Sequence, residues 1–205
     1  QKIIVVDNED PVLTIPADIF SSTCSVVIGV ASATDNCSTL TASYTIASNG
    51  GIIGLGSNTL IWYVTDGSGN TVSATQLVTV SDTTAPVNIA PSDITTSTSI
   101  NSCNAQNIVL GSPTFSDNCT VAGIVNDAPS SFPTGTTTVT WTVSDTAGNI
   151  SLSFQRVTVT DNTPPIITPP LDIVTNDCSY VLANPTITDN CTVTFSNDAP
   201  ASFPS

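Results

Sequence analysis

Positive charge is almost missing from this chain. Of 205 residues only Lys2 and Arg156 are basic, and there is no histidine and no methionine. Each gap excludes a class of function. Neutralising phosphates takes clusters of Lys and Arg, so a nucleic-acid partner is excluded. General acid–base catalysis draws mostly on His, Glu, Lys and Cys, and here there is one Glu, Glu9, and one Lys. A zinc site would have to be assembled from Cys and Asp alone. No apolar run reaches the length of about 18 residues that a membrane-spanning helix needs, and no secretory leader is visible at Gln1. Disorder is excluded from the other side: 40% of the residues are hydrophobic and the mean hydropathy is +0.25.

Acid and cysteine are what the chain does carry. Fifteen Asp and one Glu give a formal net charge of −14, and there are six Cys. Cysteines in an acidic, Thr/Ser-rich, Lys-poor chain predict an oxidising, extracellular or cell-surface setting.

Self-similarity organises the rest. Asp7-Asn8-Glu9-Asp10-Pro11-Val12 aligns with Asp82-Thr83-Thr84-Ala85-Pro86-Val87 and with Asp161-Asn162-Thr163-Pro164-Pro165-Ile166. Each leads to a Pro-x-Asp-Ile run (Pro16–Ile19, Pro91–Ile94, Pro170–Ile173), then to a first cysteine (Cys24, Cys103, Cys178). Asp-Asn-Cys follows, at Asp35–Cys37, Asp117–Cys119 and Asp189–Cys191. Two of the repeats continue to a Trp run, an Asp-x-x-Gly-Asn turn (Asp66–Asn70, Asp145–Asn149) and a closing run, Gln76–Val80 or Gln155–Val159. Asp82 follows Asp7 by 75 residues, and Asp161 follows Asp82 by 79. Residues 1–6 match the closing run and read as the last strand of a preceding repeat. The expected domains are therefore 7–81, 82–160 and 161–205, the last lacking its final strands. The chain reads as a window on a longer array.

No helix-period stripe exceeds two turns. Short Val/Ile/Thr-rich runs alternate instead, broken by Gly, Pro, Asn and Asp. Val139, Trp141 and Val143 alternate with Thr140, Thr142 and Ser144, so the Trp face points inward. About seven short strands per repeat describe an all-β fold: tandem Ig-like β-sandwiches arranged end to end.

Domains this small have limited cores, and cysteine staples compensate. Six Cys allow fifteen pairings. The repeat favours local bonds, Cys24–Cys37, Cys103–Cys119 and Cys178–Cys191, each contributing roughly 3 kcal/mol through loop closure.

The ordered set resembles the HYR (hyalin repeat) module over the whole chain. It comprises Asp-x-x-x-Pro, Asp-Asn-Cys, Phe132-Pro133-Thr134-Gly135 before a Val-x-Trp strand, Asp-x-x-Gly-Asn and a terminal Val-x-Val. The first repeat departs from it, with Ile53-Gly54-Leu55-Gly56 in place of the Phe-Pro run, and a different local turn is expected there. The resemblance implies an Ig-like fold, extracellular adhesion and no catalysis. Its nearest implied context is the long surface proteins of gliding and biofilm-forming bacteria.

In an Ig-like sandwich the lead-in, the B–C loop and the F–G loop share one pole. That pole would gather Asp7, Asp10, Asp35, Asp66 and Asn70 in the first repeat. Asp82, Asp117, Asp145 and Asn149 would gather in the second, and Asp161 and Asp189 in the third. Oxygen-rich clusters without nitrogen ligands suit Ca²⁺. The same residues are also ordinary turn formers and loop caps. Asn36, Asn118, Asn149 and Asn190 lie in N-glycosylation patterns that overlap these turns. Thr83 and Thr146 lie in short Asp-Thr-x patterns that resemble O-glycosylation acceptors. The repeated acidic positions read as scaffold features rather than as a glycosidase pair.

The function expected is structural: a stalk segment of a long extracellular filament or adhesin, holding a distal tip away from the cell. Its partners would be neighbouring repeats, surface glycans or other filament subunits. The alternatives are a repeat module that itself grips a carbohydrate or host protein, and an accessory region of a large secreted enzyme.

Overall fold

A computed structural model describes residues 1–37, 39–47, 51–176 and 182–199. Among these residues the fold is all-β, with sixteen strands and no α-helix, and no helix is long and apolar enough to cross a membrane. The first six strands are β1 (Val12–Thr14), β2 (Ile19–Ser21), β3 (Ser32–Thr34), β4 (Ser43–Ile46), β5 (Gly56–Thr65) and β6 (Thr71–Val80). Next come β7 (Val87–Ile89), β8 (Ile94–Ser97), β9 (Asn104–Gln106), β10 (Thr114–Ser116), β11 (Val121–Asn126) and β12 (Ser131–Pro133). The last are β13 (Gly135–Asp145), β14 (Ile150–Thr160), β15 (Ile166–Thr168) and β16 (Thr186–Thr188).

The chain forms two compact units. The first holds Gln1–Asn88, Phe115–Ile124 and Thr142–Ser151; the second holds Ile89–Thr114, Val125–Trp141 and Leu152–Ser205.

In the first unit a four-stranded sheet, β2-β6-β5-β4, faces the β1-β3 pair. The β5–β6 hairpin is its centre, with Leu60 opposite Gln76 and Trp62 opposite Ala74. Alternation puts Asn58, Leu60, Trp62 and Val64 on the inward face of β5, and Gln76, Val78 and Val80 on that of β6. The core is built from Leu60, Trp62, Val78, Val80 and Ala31, with Leu13 and Ile19 packed on it. The second unit repeats the plan. Val139, Trp141, Val157 and Val159 of β13 and β14 pack against Ala105 of β9 and Phe132 of β12.

Both tryptophans are buried, as the alternation requires. A buried indole N–H needs an acceptor, and a fully buried glutamine supplies it. Trp62 Nε1 donates to Gln76 Oε1 at 2.9 Å, and Gln76 Nε2 donates to the Ala17 carbonyl at 2.6 Å. Trp141 donates to Gln155 at 3.2 Å, and Gln155 donates to the carbonyls of Ser92 at 2.7 Å and Leu110 at 3.0 Å. The Pro-x-Asp-Ile run now has a role. Asp18 accepts from Leu77 N and Asp93 from Arg156 N, both at 2.8 Å. These contacts start the parallel pairing of Ile19 with Val78 and of Ile94 with Val157.

The turn ahead of β5 is built differently from its counterpart, as the Ile53–Gly56 departure suggests. Gly56 and Gly135 both take positive φ, 87° and 101°, a conformation that glycine adopts without a Cβ penalty. In the second unit Phe132 fills the core beside that turn. In the first, buried Asn58 takes over: its Oδ1 accepts from Gly54 N, and its Nδ2 donates to the Gly54 carbonyl.

Asp127 caps the start of β11's return into β13. Its Oδ1 accepts from Thr140 N at 2.7 Å, and this backbone hydrogen bond is the main cause holding its carboxyl below the ordinary value. A depressed pKa contributes stability above the unfolded-state value of about 3.9, which is lost as pH falls through the folded value. Asp127→Ala is therefore expected to lower Tm at neutral pH, with the gap to the native chain closing on acidification. A constant gap in a melting series from pH 7 to pH 2 would contradict this. Gln76→Leu leaves the Trp62 indole and the Ala17 carbonyl unpaired, at about 1–3 kcal/mol each. Its denaturation midpoint is expected to fall accordingly, and an unchanged midpoint would mean that the glutamine bridge stabilises nothing.

Candidate metal centre and inter-repeat disulfides

The Asp-x-x-Gly-Asn hairpins fold around their own carboxylate. Asp66 Oδ1 accepts from the backbone N–H groups of Ser68 and Asn70, both at 2.8 Å, while Asn70 Nδ2 donates to Oδ2 at 2.6 Å. Asp145 does the same with Ala147 N, Asn149 N and Asn149 Nδ2, at 2.8, 2.8 and 2.7 Å. Burial pushes both carboxyls up, and this dense set of donors outweighs it, holding them below the ordinary carboxylate value. They are charged at neutral pH. The two asparagines spend their side-chain N–H groups here and on the carbonyls of Asp7, at 3.4 Å, and Asp82, at 3.2 Å. Their Nδ2 groups tie the lead-in segment to the hairpin.

Two three-carboxylate groups result. Asp7, Asp35 and Asp66 bring one carboxylate oxygen each within 4.8 Å of one another, and so do Asp82, Asp117 and Asp145. The second group is the more enclosed: Asp82 is 6% exposed and Asp145 3%. One oxygen of each lead-in and loop carboxylate is already used. Asp82 Oδ1 accepts from Thr84 N at 3.0 Å and Asn118 Nδ2 at 3.1 Å, and Asp117 Oδ2 accepts from Cys119 N at 2.9 Å. Their other oxygens, Asp82 Oδ2 and Asp117 Oδ1, are buried without a hydrogen-bond partner, as is Asp7 Oδ2. Buried polar atoms are normally paired, and like charges this close repel strongly where water is thin. Carboxylate oxygens gathered without a nitrogen ligand are the donor type that a hard cation such as Ca²⁺ takes, and in each group at least one of them is unpaired.

The remaining predicted residues are placed differently. Asp10 is exposed and stands outside the first group. In the third repeat Asp161 Oδ1 accepts from Thr163 N at 3.0 Å and Asn190 Nδ2 at 3.4 Å, and Asp189 Oδ1 accepts from Asn190 N at 2.6 Å. Thr83 and Thr146 are exposed. Asn118, Asn149 and Asn190 commit their amides to hydrogen bonds, which favours the turn role of these motifs over glycosylation.

The disulfides overturn the local pairing. Cys24 is bonded to Cys119, 95 residues on, and Cys103 to Cys191, 88 residues on. Cys37 is a free, exposed thiol, and Cys178 lies outside the described residues. Each bond runs from the first cysteine of one repeat to the Asp-Asn-Cys cysteine of the next. Proximity decides it: the Cα atoms are 5.1 and 4.7 Å apart, within bonding range. Asn118 Nδ2 also reaches the Ser22 carbonyl at 3.4 Å, and Asn190 Nδ2 the Ser102 carbonyl at 3.2 Å. Sequence distance is a weak guide, since each doubling of a loop costs only about 0.6 kcal/mol. Two disulfides fit an extracellular chain.

No protein-family model matches the chain. It is 31% identical to hyalin of Strongylocentrotus purpuratus over 211 residues, covering 92% of this chain and 18% of that protein. It is 29% identical to hyalin of Lytechinus variegatus over 209 residues, covering 92% of this chain and 39% of that protein. The chain thus spans less than half the length of these curated relatives. Neither is bacterial, so the bacterial setting gains no support. Among solved structures, protocadherin gammaB7 EC3-6 superposes with a TM-score of 0.34 at 15% identity, covering 89% of this chain and 61% of that one. Mouse cadherin-23 EC22-24 gives 0.33 at 14%, covering 78% and 67%. These overlays are too loose to transfer a site. The all-β sandwich architecture, the repeats, the disulfides and the similarity to hyalin together make this an extracellular repeat module.

Proposed function

We propose that the chain is a tension-bearing stalk segment of an extracellular filament or adhesin, held at its junctions by Ca²⁺. The observation that carries this reading is the overlap of the two disulfide loops. One closes residues 24–119 and the other 103–191. The shortest covalent path from Gln1 to Ser205 runs to Cys24, crosses to Cys119, returns to Cys103, crosses to Cys191 and goes on. About 56 residues then bear tension. At about 3.5 Å per residue they reach about 200 Å, against about 700 Å for the open chain. Residues 25–102 and 120–190 are shielded from extension even if they unfold. A module that only displayed a ligand site would have no use for such a strap.

The cation has a separate task. Asp82, Asp117 and Asp145 would hold it, and its charge would offset their repulsion. Asp7, Asp35 and Asp66 form the equivalent set one repeat earlier. The turn Asp117–Cys119 serves both devices, carrying a ligand and a disulfide cysteine two residues apart.

Stretching single molecules by their ends tests the strap. Reduction is expected to lengthen the fully unfolded contour by about 500 Å at extended-chain reach; equal contours before and after reduction would sink the stalk reading. Calcium is tested by melting. At 100 times its Kd a ligand adds about 2.7 kcal/mol, or roughly 5–10 °C for a chain of this size. That rise is expected in Ca²⁺ relative to EDTA and should shrink in the Asp82→Asn, Asp117→Asn double variant, which keeps only the Asp7, Asp35 and Asp66 set. Identical melting of the native chain in both conditions would remove the cation.

A further inference from the structure

The free thiol of Cys37 occupies a position that is bonded in both of its equivalents. Cys37, Cys119 and Cys191 each close an Asp-Asn-Cys turn. Cys37 N donates to Asp35 Oδ1 at 2.9 Å, and Cys119 N to Asp117 Oδ2 at 2.9 Å. These two turns match, yet Cys119, like Cys191, is disulfide-bonded and Cys37 is not.

Two independent observations mark what stands on the other side of that bond. The first is the asparagine of the motif. Asn118 and Asn190 each donate to a carbonyl just before the first cysteine of the preceding repeat, Ser22 and Ser102. Asn36 is turned instead onto the Glu9 carboxylate, a residue whose equivalents are Thr84 and Thr163. The second is the segment Ile3–Val6. Ile3 and Val5 stand where Val78 and Val80 stand relative to the next lead-in aspartate. Val78 and Val80 are core residues, 0% and 2% exposed, whereas Ile3 and Val5 are 78% and 83% exposed. They have the pattern of a closing strand and no sandwich to close.

We infer that Cys37 is the acceptor half of a third inter-repeat disulfide, whose other half is the first cysteine of the repeat that residues 1–6 close. In both observed bonds the donor repeat is the one whose closing strand runs straight into the acceptor's lead-in aspartate. The same geometry assigns the partner of Cys37 to a cysteine about 88–95 residues upstream. The bond forms between two thiols by exchange with a protein or small-molecule disulfide. One S–S bond forms, the oxidant's S–S bond is reduced to two thiols, and these take up the two electrons and two protons released. With this bond in place the tension path enters each repeat at its Asp-Asn-Cys cysteine and leaves at its first cysteine. Only residues 24–37 of the first repeat and 103–119 of the second then carry load.

This inference rests on the array reading but not on calcium. Its test is a disulfide map of the protein taken from its native surface, thiols blocked with N-ethylmaleimide before lysis and digestion carried out without reduction. The expected result is the Cys37 peptide joined to a peptide outside this 205-residue sequence that resembles the runs around Cys24 and Cys103. Cys37 recovered as the maleimide adduct overturns the inference. So does Cys37 joined to Cys24, to Cys178, to Cys37 of a second copy or to a small thiol. Cys24–Cys119 and Cys103–Cys191 in the same map would keep the strap intact in that event.

Discussion

The rest of this structure depends on one covalent constraint: a disulfide leaves each of the first two repeats and ends in the next. A staple inside a repeat would only restrict that repeat's unfolded ensemble. A staple across the junction forces the Asp-Asn-Cys turn of the later repeat against the segment before the earlier repeat's first cysteine, where Asn118 meets Ser22 and Asn190 meets Ser102. The loops then overlap through residues 103–119, and overlap is what turns two staples into a ladder. Local features of the turn serve this. Asp117 holds the Cys119 backbone with one oxygen, keeps the other buried and unpaired, and belongs to the carboxylate group. The turn's shape, its charge and its covalent bond are therefore one arrangement.

Within each unit the small core depends on a polar bridge. Aliphatic residues alone would leave the indole of Trp62 or Trp141 without an acceptor. Gln76 and Gln155 resolve this and in the same step bond the carbonyls of the Pro-x-Asp-Ile run. That run is held twice, because Asp18 and Asp93 bond the next residue of the closing strand. The motif set is thus a set of mutual contacts: Trp needs Gln, Gln needs the carbonyl before Asp, and Asp needs the N–H after Gln.

Much of this was legible in the sequence because it follows from period and turn chemistry. Alternation placed both tryptophans inward, and Asp-x-x-Gly-Asn read as a hairpin. Asp7, Asp35 and Asp66, and their counterparts Asp82, Asp117 and Asp145, were expected at one pole and do converge. The disulfide partners were not legible. Equal spacing of cysteines in every repeat is produced as well by a ladder as by local staples, and loop entropy separates the two only weakly. The glutamines were read merely as the start of a strand, since a fully buried polar residue is visible only through its partners. The bridging of chain segments by the side-chain N–H groups of Asn70 and Asn149 was not legible either, since its partners, the carbonyls of Asp7 and Asp82, lie 63 and 67 residues away. Asp10 counted as acidic pole because a sequence shows charge, and not which carboxylates converge.

The two junction devices act on different deformations, and this explains why both would be kept. A disulfide limits the end point of extension, since it does nothing until the chain between its cysteines is taut. It leaves small bending almost free. A cation bound by carboxylates from the lead-in, the loop and the hairpin acts at the other extreme. It resists the first small separation of those elements and lets go once they have moved apart by more than a coordination distance. Placing a ligand and a cysteine two residues apart in Asp117–Cys119 puts both resistances on the same turn. On the proposed reading, removing calcium would soften the junction without lengthening the strap, and reduction would lengthen the strap without softening the junction at rest. The acidity of the chain then has a mechanical meaning. On that reading the grouped carboxylates repel one another unless a cation is bound, and stiffness would depend on the cation as well as on the fold.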